Sequence, residues 1–264
     1  MSFKFGKSIL GATTILLLIS CNVYATLTDG LAAHYKFNGD ASDSSGNGNN
    51  GVVYGAQLTE DRFGVANHAY LFDGQDDYIE AAHSSSLDLT GPITLSAWIK
   101  SDGTYWQSEI ISKMPSYSPA IGYQLYTQDD EARVSLTYAI GNSHAGGGVA
   151  SNTLVVDGQW HLLTSTYDGS EIRMYVDGEL ETWIAYSDGY ESNTEPLKIG
   201  HYYYPYNDGR GGSHNWALNG AIDDVRIYNR ALSPEEVAQL VPEPATLLLF
   251  GLGGLALRRK HRAK

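Results

Sequence analysis

Hydrophobic and polar positions alternate with a period of two over much of the chain, most clearly in residues 160–178, WHLLTSTYDGSEIRMYVDG. Trp160, Leu162, Thr164 and Thr166 alternate with His161, Leu163, Ser165 and Tyr167, which sets the two groups on opposite faces of a strand. Asp168-Gly169 accepts the positive φ angles of a two-residue hairpin and predicts a turn. Ile172, Met174 and Val176 alternate with Arg173 and Tyr175, and Asp177-Gly178 supplies a second turn. A third strand follows through Leu180, Thr182 and Ile184. A meander with one apolar face is not stable alone, so the rest of the chain must supply an opposing sheet.

The same period predicts strands at 31–37, 70–72, 78–82, 93–100, 108–113, 123–127, 133–138, 197–201 and 217–228. Gly and Asp turn signals separate them, and no helical period arises before Ser233. There Ser233 as N-cap, Pro234 at the first helical position and Glu236 make the capping box of a short helix ending near Leu240. The prediction is an all-β, antiparallel two-sheet sandwich rather than a βαβ fold. Trp98 and Trp160, on alternating strands, read as core.

The ends read differently. Lys4 and Lys7, the apolar run 9–19 and Val23-Tyr24-Ala25 make an export signal over 1–25. Leu18-Ile19-Ser20-Cys21 resembles a bacterial lipobox, so lipidation of Cys21 competes with cleavage after Ala25. Cys21 is the only cysteine, which leaves no intrachain disulfide to staple an exported chain.

That leaves a body large enough for one all-β domain, over 26–240. The 29 Gly and 19 Tyr suit many turns and half-buried aromatic strands. The formal charge of -13 understates its acidity, since seven basic side chains lie in the terminal segments. Residues 26–257 hold ten basic against thirty acidic side chains, a balance of -20. Such a surface repels nucleic acid and excludes it as a partner.

Five stretches now carry a family resemblance. They are LAAHYKF at 31–37 with the Asp43-Ser44-Ser45-Gly46-Asn47 loop; Leu71-Phe72-Asp73-Gly74 followed by Asp77-Tyr78-Ile79; 94–99 with its Trp98; the 160–178 meander; and GAIDDVRIYNRALS at 220–233. In this order they resemble a LamG-like jelly-roll domain of the concanavalin A-like lectin/glucanase superfamily, over roughly residues 29–240. The resemblance implies two facing antiparallel sheets, one often concave.

Glucanases share that fold, and commonly place their carboxylates on one strand as Glu-x-Asp-x-Glu. No such triplet occurs here. Glu179 and Glu181 alternate without a third partner, and Glu191 and Glu195 lie four apart in a predicted loop. Nor is there a nucleophile elbow, a His-Glu-x-x-His motif or a phosphate loop. The expectation is a non-catalytic module, and a fold alone grants no activity.

Calcium is the expected cofactor. It takes oxygen ligands from flexible glycine-containing loops, and residues 38–50 are nearly all oxygen donors and glycine. Asp223 shares strand parity with Val225 and Ile227, so it is expected to point inward with them, where a carboxylate needs a cation or donor. Jelly-roll sandwiches of the resembled kind often hold one structural calcium between an early loop and the last strand. Asp43 and Asp223 are the expected ligands, with Asp40, Asn47 or Asp224 completing the shell. The alternative is a solvated turn cluster, with Asp223 bonded to backbone amides.

For a ligand, aromatic faces on which sugar rings stack are sought beside amides and carboxylates. The Tyr202-Tyr203-Tyr204-Pro205-Tyr206 loop with Trp216 is the candidate, and Trp106 is expected to contribute from its own loop. Packing at a sheet edge is the competing reading of those tyrosines. The expected partner is a carbohydrate or an extracellular protein.

At the carboxyl end, Pro242-Glu243-Pro244 precedes the apolar run 245–257 and a basic tail, Arg258-Arg259-Lys260-His261-Arg262. These three parts resemble the PEP-CTERM sorting signal of Gram-negative bacteria, over 241–264. The resemblance implies processing by an exosortase and association with exopolysaccharide. The apolar run is short for a span, yet as an anchor helix it can engage the inner membrane transiently while the basic tail stays inside.

Overall fold

The computed structural model describes residues 26–103, 107–115, 121–140, 143–204 and 214–241. The segment 1–25 with Cys21, expected as an export signal, and the segment 242–264 with its expected anchor helix, lie outside the described residues. The first strands are β1 (Leu31–Tyr35), β2 (Gly51–Tyr54), β3 (Gln57–Thr59), β4 (Ala69–Asp73), β5 (Tyr78–Ala81) and β6 (Ile93–Lys100). There follow β7 (Gln107–Lys113), β8 (Gly122–Gln128), β9 (Glu131–Ile140), β10 (Ser143–Leu154), β11 (Trp160–Tyr167) and β12 (Glu171–Val176). The last are β13 (Glu179–Ala185), β14 (Leu197–Ile199), β15 (Tyr203–Tyr204), β16 (His214–Asn215) and β17 (Asn219–Tyr228), before the helix α1 (Pro234–Ala238).

The 160–178 meander is β11 and β12, with β13 beyond. Its second turn is the two-residue hairpin expected, with Asp177 at φ 52° and Gly178 at φ 84°. The first differs: Gly169-Ser170 forms the tip, and the Asp168 carboxylate accepts the N–H groups of Ser170 and Glu171. An aspartate that satisfies the turn itself has displaced the simpler geometry.

These strands belong to an eight-stranded antiparallel sheet in the order β13-β12-β11-β6-β17-β4-β3, with β1 also paired to β17. The opposing sheet has seven strands, β10-β9-β8-β7-β14-β5-β2. Between them lies one core, including Tyr35, Phe72, Leu95, Ile99, Ile111, Leu125, Leu163 and Ile222, all essentially inaccessible. Each such side chain stabilises the fold by about 1.5–3 kcal/mol. The expected sandwich is therefore the observed one.

β17 positions everything that follows. One of its edges pairs with β6, and the other is shared end to end: Asn219 to Ile222 face β4, and Val225 to Tyr228 face β1. At the joint the register against β6 slips between Asp223 and Arg226, and Asp224 takes φ 51°. A non-glycine residue in this left-handed region costs of order 1–3 kcal/mol and persists only where its surroundings hold it.

Candidate functional site

Registration with the core fixes which side chains leave the eight-stranded sheet on its outer face. Ile99 and Ile222 are paired and point inward, so their neighbours Trp98, Lys100, Ala221 and Asp223 point out. Trp160 and Leu162 on β11, opposite Lys100 and Trp98, do the same. At one end α1 lies on this face, where Leu232, Val237 and Leu240 join Trp98, Leu162, Tyr175 and Tyr228 in a second apolar cluster. The capping box is present as expected, with Ser233 Oγ accepting from Glu236 N and Glu236 accepting from Ser233 N.

The middle of the face is covered by the loop 60–68. Asp61 organises it: Oδ1 accepts the N–H groups of Phe63 and Val65, both at 2.8 Å. That fold drives Arg62 inward, its guanidinium 4.9 Å from the Trp98 ring centre and 4.6 Å from that of Phe63. There it pairs with Asp223 and, at 3.4 Å, with Asp224. Asp224 also meets His34 Nε2 at 2.7 Å and Arg226 Nη2 at 3.0 Å. Arg62 thus pairs with both carboxylates, and Arg226 adds a second cation at Asp224.

The two carboxylates respond differently. Burial pushes Asp223 up, Arg62 opposes that, and the charges of Asp224 and Asp61 add to it, leaving the group at about 7. For Asp224, burial is outweighed by the His34 hydrogen bond and the Arg226 and Arg62 charges, and its pKa lies below the usual value.

On either side of Asp61 the face opens. One hollow of about 470 Å3 has Lys100, Trp160, Leu71 and Asn219 in its lining, with Glu60 and Asp102 at its rim. The other, about 370 Å3, is lined by His34, Lys36, Phe63, Val65 and the Arg62 cluster. Asp61 borders both, so they read as two lobes of one cleft. Phe63, Val65 and Leu71 stand exposed along it. A half-buried Trp beside amide and carboxylate groups offers a sugar both a stacking surface and partners for its hydroxyls. Trp160 is half-buried: it packs against the Trp98 and Leu162 cluster, outside the inter-sheet core, and also lines the cleft, whereas Trp98 is buried under Arg62 rather than between the sheets.

The five residues expected to hold calcium do not assemble into an oxygen cage. Asp43 is the organiser of its own loop: its carboxylate accepts from His34 N, Ser45 N, Ser45 Oγ and Asn49 N at 2.8–2.9 Å. Burial works against its charge, but the Ser45, His34 and Asn49 amides outweigh that and hold the pKa low. Asn47 turns its amide nitrogen to the Leu31 and Ala32 carbonyls, and Asp40 caps Ser42 N. Asp223 and Asp224 face Arg62, Arg226 and His34 instead. The parity argument for Asp223 fails at the slip in β17, which sends Asp223 and Asp224 outward while Val225 and Ile227 stay in the core. Among the described residues the one group of three carboxylates close enough to share an ion is Asp73, Asp76 and Asp77, exposed at a turn.

Of the expected aromatic loop, Tyr202 is buried, stacks on Trp216 at 5.4 Å and donates to the Pro115 carbonyl. That pair packs as the sheet-edge reading anticipated. Tyr203 and Tyr204 form β15, paired with His214 and Asn215 of β16. Tyr206 and Trp106 lie outside the described residues. Sequence reasoning missed Asp61, Arg62 and Phe63. One signal pointed to them: adjacent aspartates in a strand require a cation, and the body offers only ten basic side chains.

A sequence profile described as the concanavalin A-like lectin/glucanases superfamily matches residues 73–238. The chain belongs to this superfamily. Among solved structures, this concanavalin A-like chain is similar to the binding domain of Paraclostridial Mosquitocidal Protein 1, with 17% identity, a TM-score of 0.65, and coverage of 82% of this chain and 52% of that one. It is similar to domain 4 of AbnA, a GH43 extracellular arabinanase from Geobacillus stearothermophilus in complex with arabinotriose (19% identity, TM-score 0.58, 80% and 98% covered). A third is the botulinum neurotoxin serotype D ligand binding domain in complex with N-acetylneuraminic acid (16%, 0.59, 81% and 51%). The chain thus spans about half the length of the toxin domains it matches, and at these identities the likeness is one of fold. A search of curated protein sequences found no match. Residues 240–262 match the PEP-CTERM protein-sorting motif, which marks the chain as exported and sorted in a Gram-negative bacterium.

Proposed function

We propose that the protein is a non-catalytic, surface- or matrix-associated module that binds carbohydrate in the cleft on the outer face of its eight-stranded sheet. The observation that carries this reading is the Trp160 lobe, about 470 Å3, with an aromatic surface beside Asn219, Lys100 and free carboxylates. Two of the similar structures are complexes, one with arabinotriose and one with N-acetylneuraminic acid, which supports a sugar-binding role for this fold. The 1–25 segment is proposed as an export signal, and 241–264 as the substrate of an exosortase that anchors in the inner membrane only transiently.

Glycan-array screening followed by calorimetry tests the reading. Trp160→Ala should weaken binding by roughly 1–3 kcal/mol, the range of aromatic stacking on a planar ligand face, measured at a temperature where the variant, which also loses packing on the Trp98 cluster, is still folded. Binding that survives intact in this variant would place the site elsewhere. A glycosidase is the second reading, favoured by Glu109, fully buried and pushed by that burial to about 8, together with Asp223 at about 7. These two carboxyls belong to β7 and β17 of opposite sheets, whereas paired glycosidase carboxylates stand roughly 5–9.5 Å apart across one bond. Reducing-sugar release from a polysaccharide panel should therefore be nil.

A further inference from the structure

We infer that the cleft selects a cationic glycan, one carrying free sugar amines, over neutral N-acetylated or uronate chains; this rests on the carbohydrate reading of the Trp160 lobe. Three carboxylates line that lobe, Glu60, Asp61 and Asp102, against one cation, Lys100. Asp61 is committed to its loop, but Glu60 and Asp102 are exposed and make no hydrogen bond or ion pair among the described residues. They are available to an ammonium group without surrendering an existing partner.

The field extends past the rim. Asn219 is the ladder partner of Asp73, and the carboxylates of Asp73, Asp76 and Asp77 lie within 4.8 Å of one another at that end. A uronate entering the lobe would approach carboxylates on two sides, and like-charge juxtaposition across an interface opposes binding. A sugar amine stacked on Trp160 would instead gain attraction to the ring face as well as to the acids.

Magnitude decides how strong the preference should be. An exposed ion pair is worth about 0–1 kcal/mol, so two give at most a tenfold to thirtyfold preference, and one that salt removes. The experiment is calorimetry at mildly acidic pH, where sugar amines are protonated, with three probes: a glucosamine hexasaccharide, its N-acetylated counterpart and a galacturonate hexasaccharide. The glucosamine chain should bind about tenfold tighter than the N-acetylated one at low salt. In about 1 M salt, where the screening length is about 3 Å, the two should converge. Galacturonate should bind weakest.

A double variant, Glu60→Gln with Asp102→Asn, should erase the preference, so that the glucosamine chain and its N-acetylated counterpart bind with equal affinity. Polylysine separates the cleft from general acidity, because its binding should not respond to Trp160→Ala. Equal affinity for the amine and its acetylated form, a preference for galacturonate, or a preference that survives the double variant would each overturn the inference while Trp160-dependent binding upholds the glycan reading. If none of the three chains binds in a Trp160-dependent way, the glycan reading falls and this inference with it.

Discussion

Arg62 is held from four directions: two aromatic rings on its faces and two carboxylates at its edge. Arg62→Met retains much of the stem's packing on Trp98 and Phe63 but leaves buried charge uncompensated. Removing one partner of a buried pair costs about 3–5 kcal/mol, and urea unfolding near neutral pH should show a loss of that size. Adding Asp223→Asn should return a large part of it; a double variant as unstable as the single one would contradict the pairing. Asp223 also sets a pH dependence. A carboxyl whose folded pKa lies above its unfolded value binds its proton more tightly in the folded chain. Stability is therefore lost as pH rises from 3.8 to about 7, and the loss is complete above that window. Asp224 and Asp43, held low, contribute in the opposite sense, their share being present above the usual carboxylate range and lost on acidification. Melting temperatures across the window should fall less steeply in Asp223→Asn than in the wild type, and parallel curves would refute the assignment.

At the scale of elements, close approach matters as much as pattern. Gly200, directly after β14, has φ 87°, and a Cβ there would fall 2.3 Å from Phe72 Cε1. Gly200→Ala is both strained and overpacked, so it should destabilise by roughly 2–4 kcal/mol in chemical unfolding. Strands with regular alternation, such as 93–100 and 160–167, were legible in the sequence because alternate residues face the opposing sheet and that period is visible. β10 was not, because Gly146, Gly147 and Gly148 carry no side chain to reveal a face. The short β2 and β3 were missed too, being too brief for a period to repeat. The slip in β17 left no mark in its sequence, and the error over Asp223 followed from it. The cleft suffered most, since Arg62 finds its partners 161 and 162 residues away and no local pattern encodes that meeting.

At the scale of the molecule, a single cysteine, within residues 1–25, leaves no intrachain disulfide to brace the chain, and calcium was the expected cofactor. The positions that calcium was expected to occupy are taken by protein donors and cations. Thermal melts with calcium and with chelator should consequently overlay, and a clear rise with calcium would show that an ion contributes after all. What braces the two ends instead is Arg230, which donates to the Thr26 and Asp29 carbonyls and grips the Glu236 carboxylate at 2.7 and 2.8 Å.

That clasp has a mechanical consequence. Traction exerted through the carboxyl-terminal segment reaches Val241 first, a residue resting on the helix-covered apolar cluster. It then passes along five residues of α1 before it meets any ladder. The helix would peel while the sandwich holds, a fuse that yields ahead of the sheets.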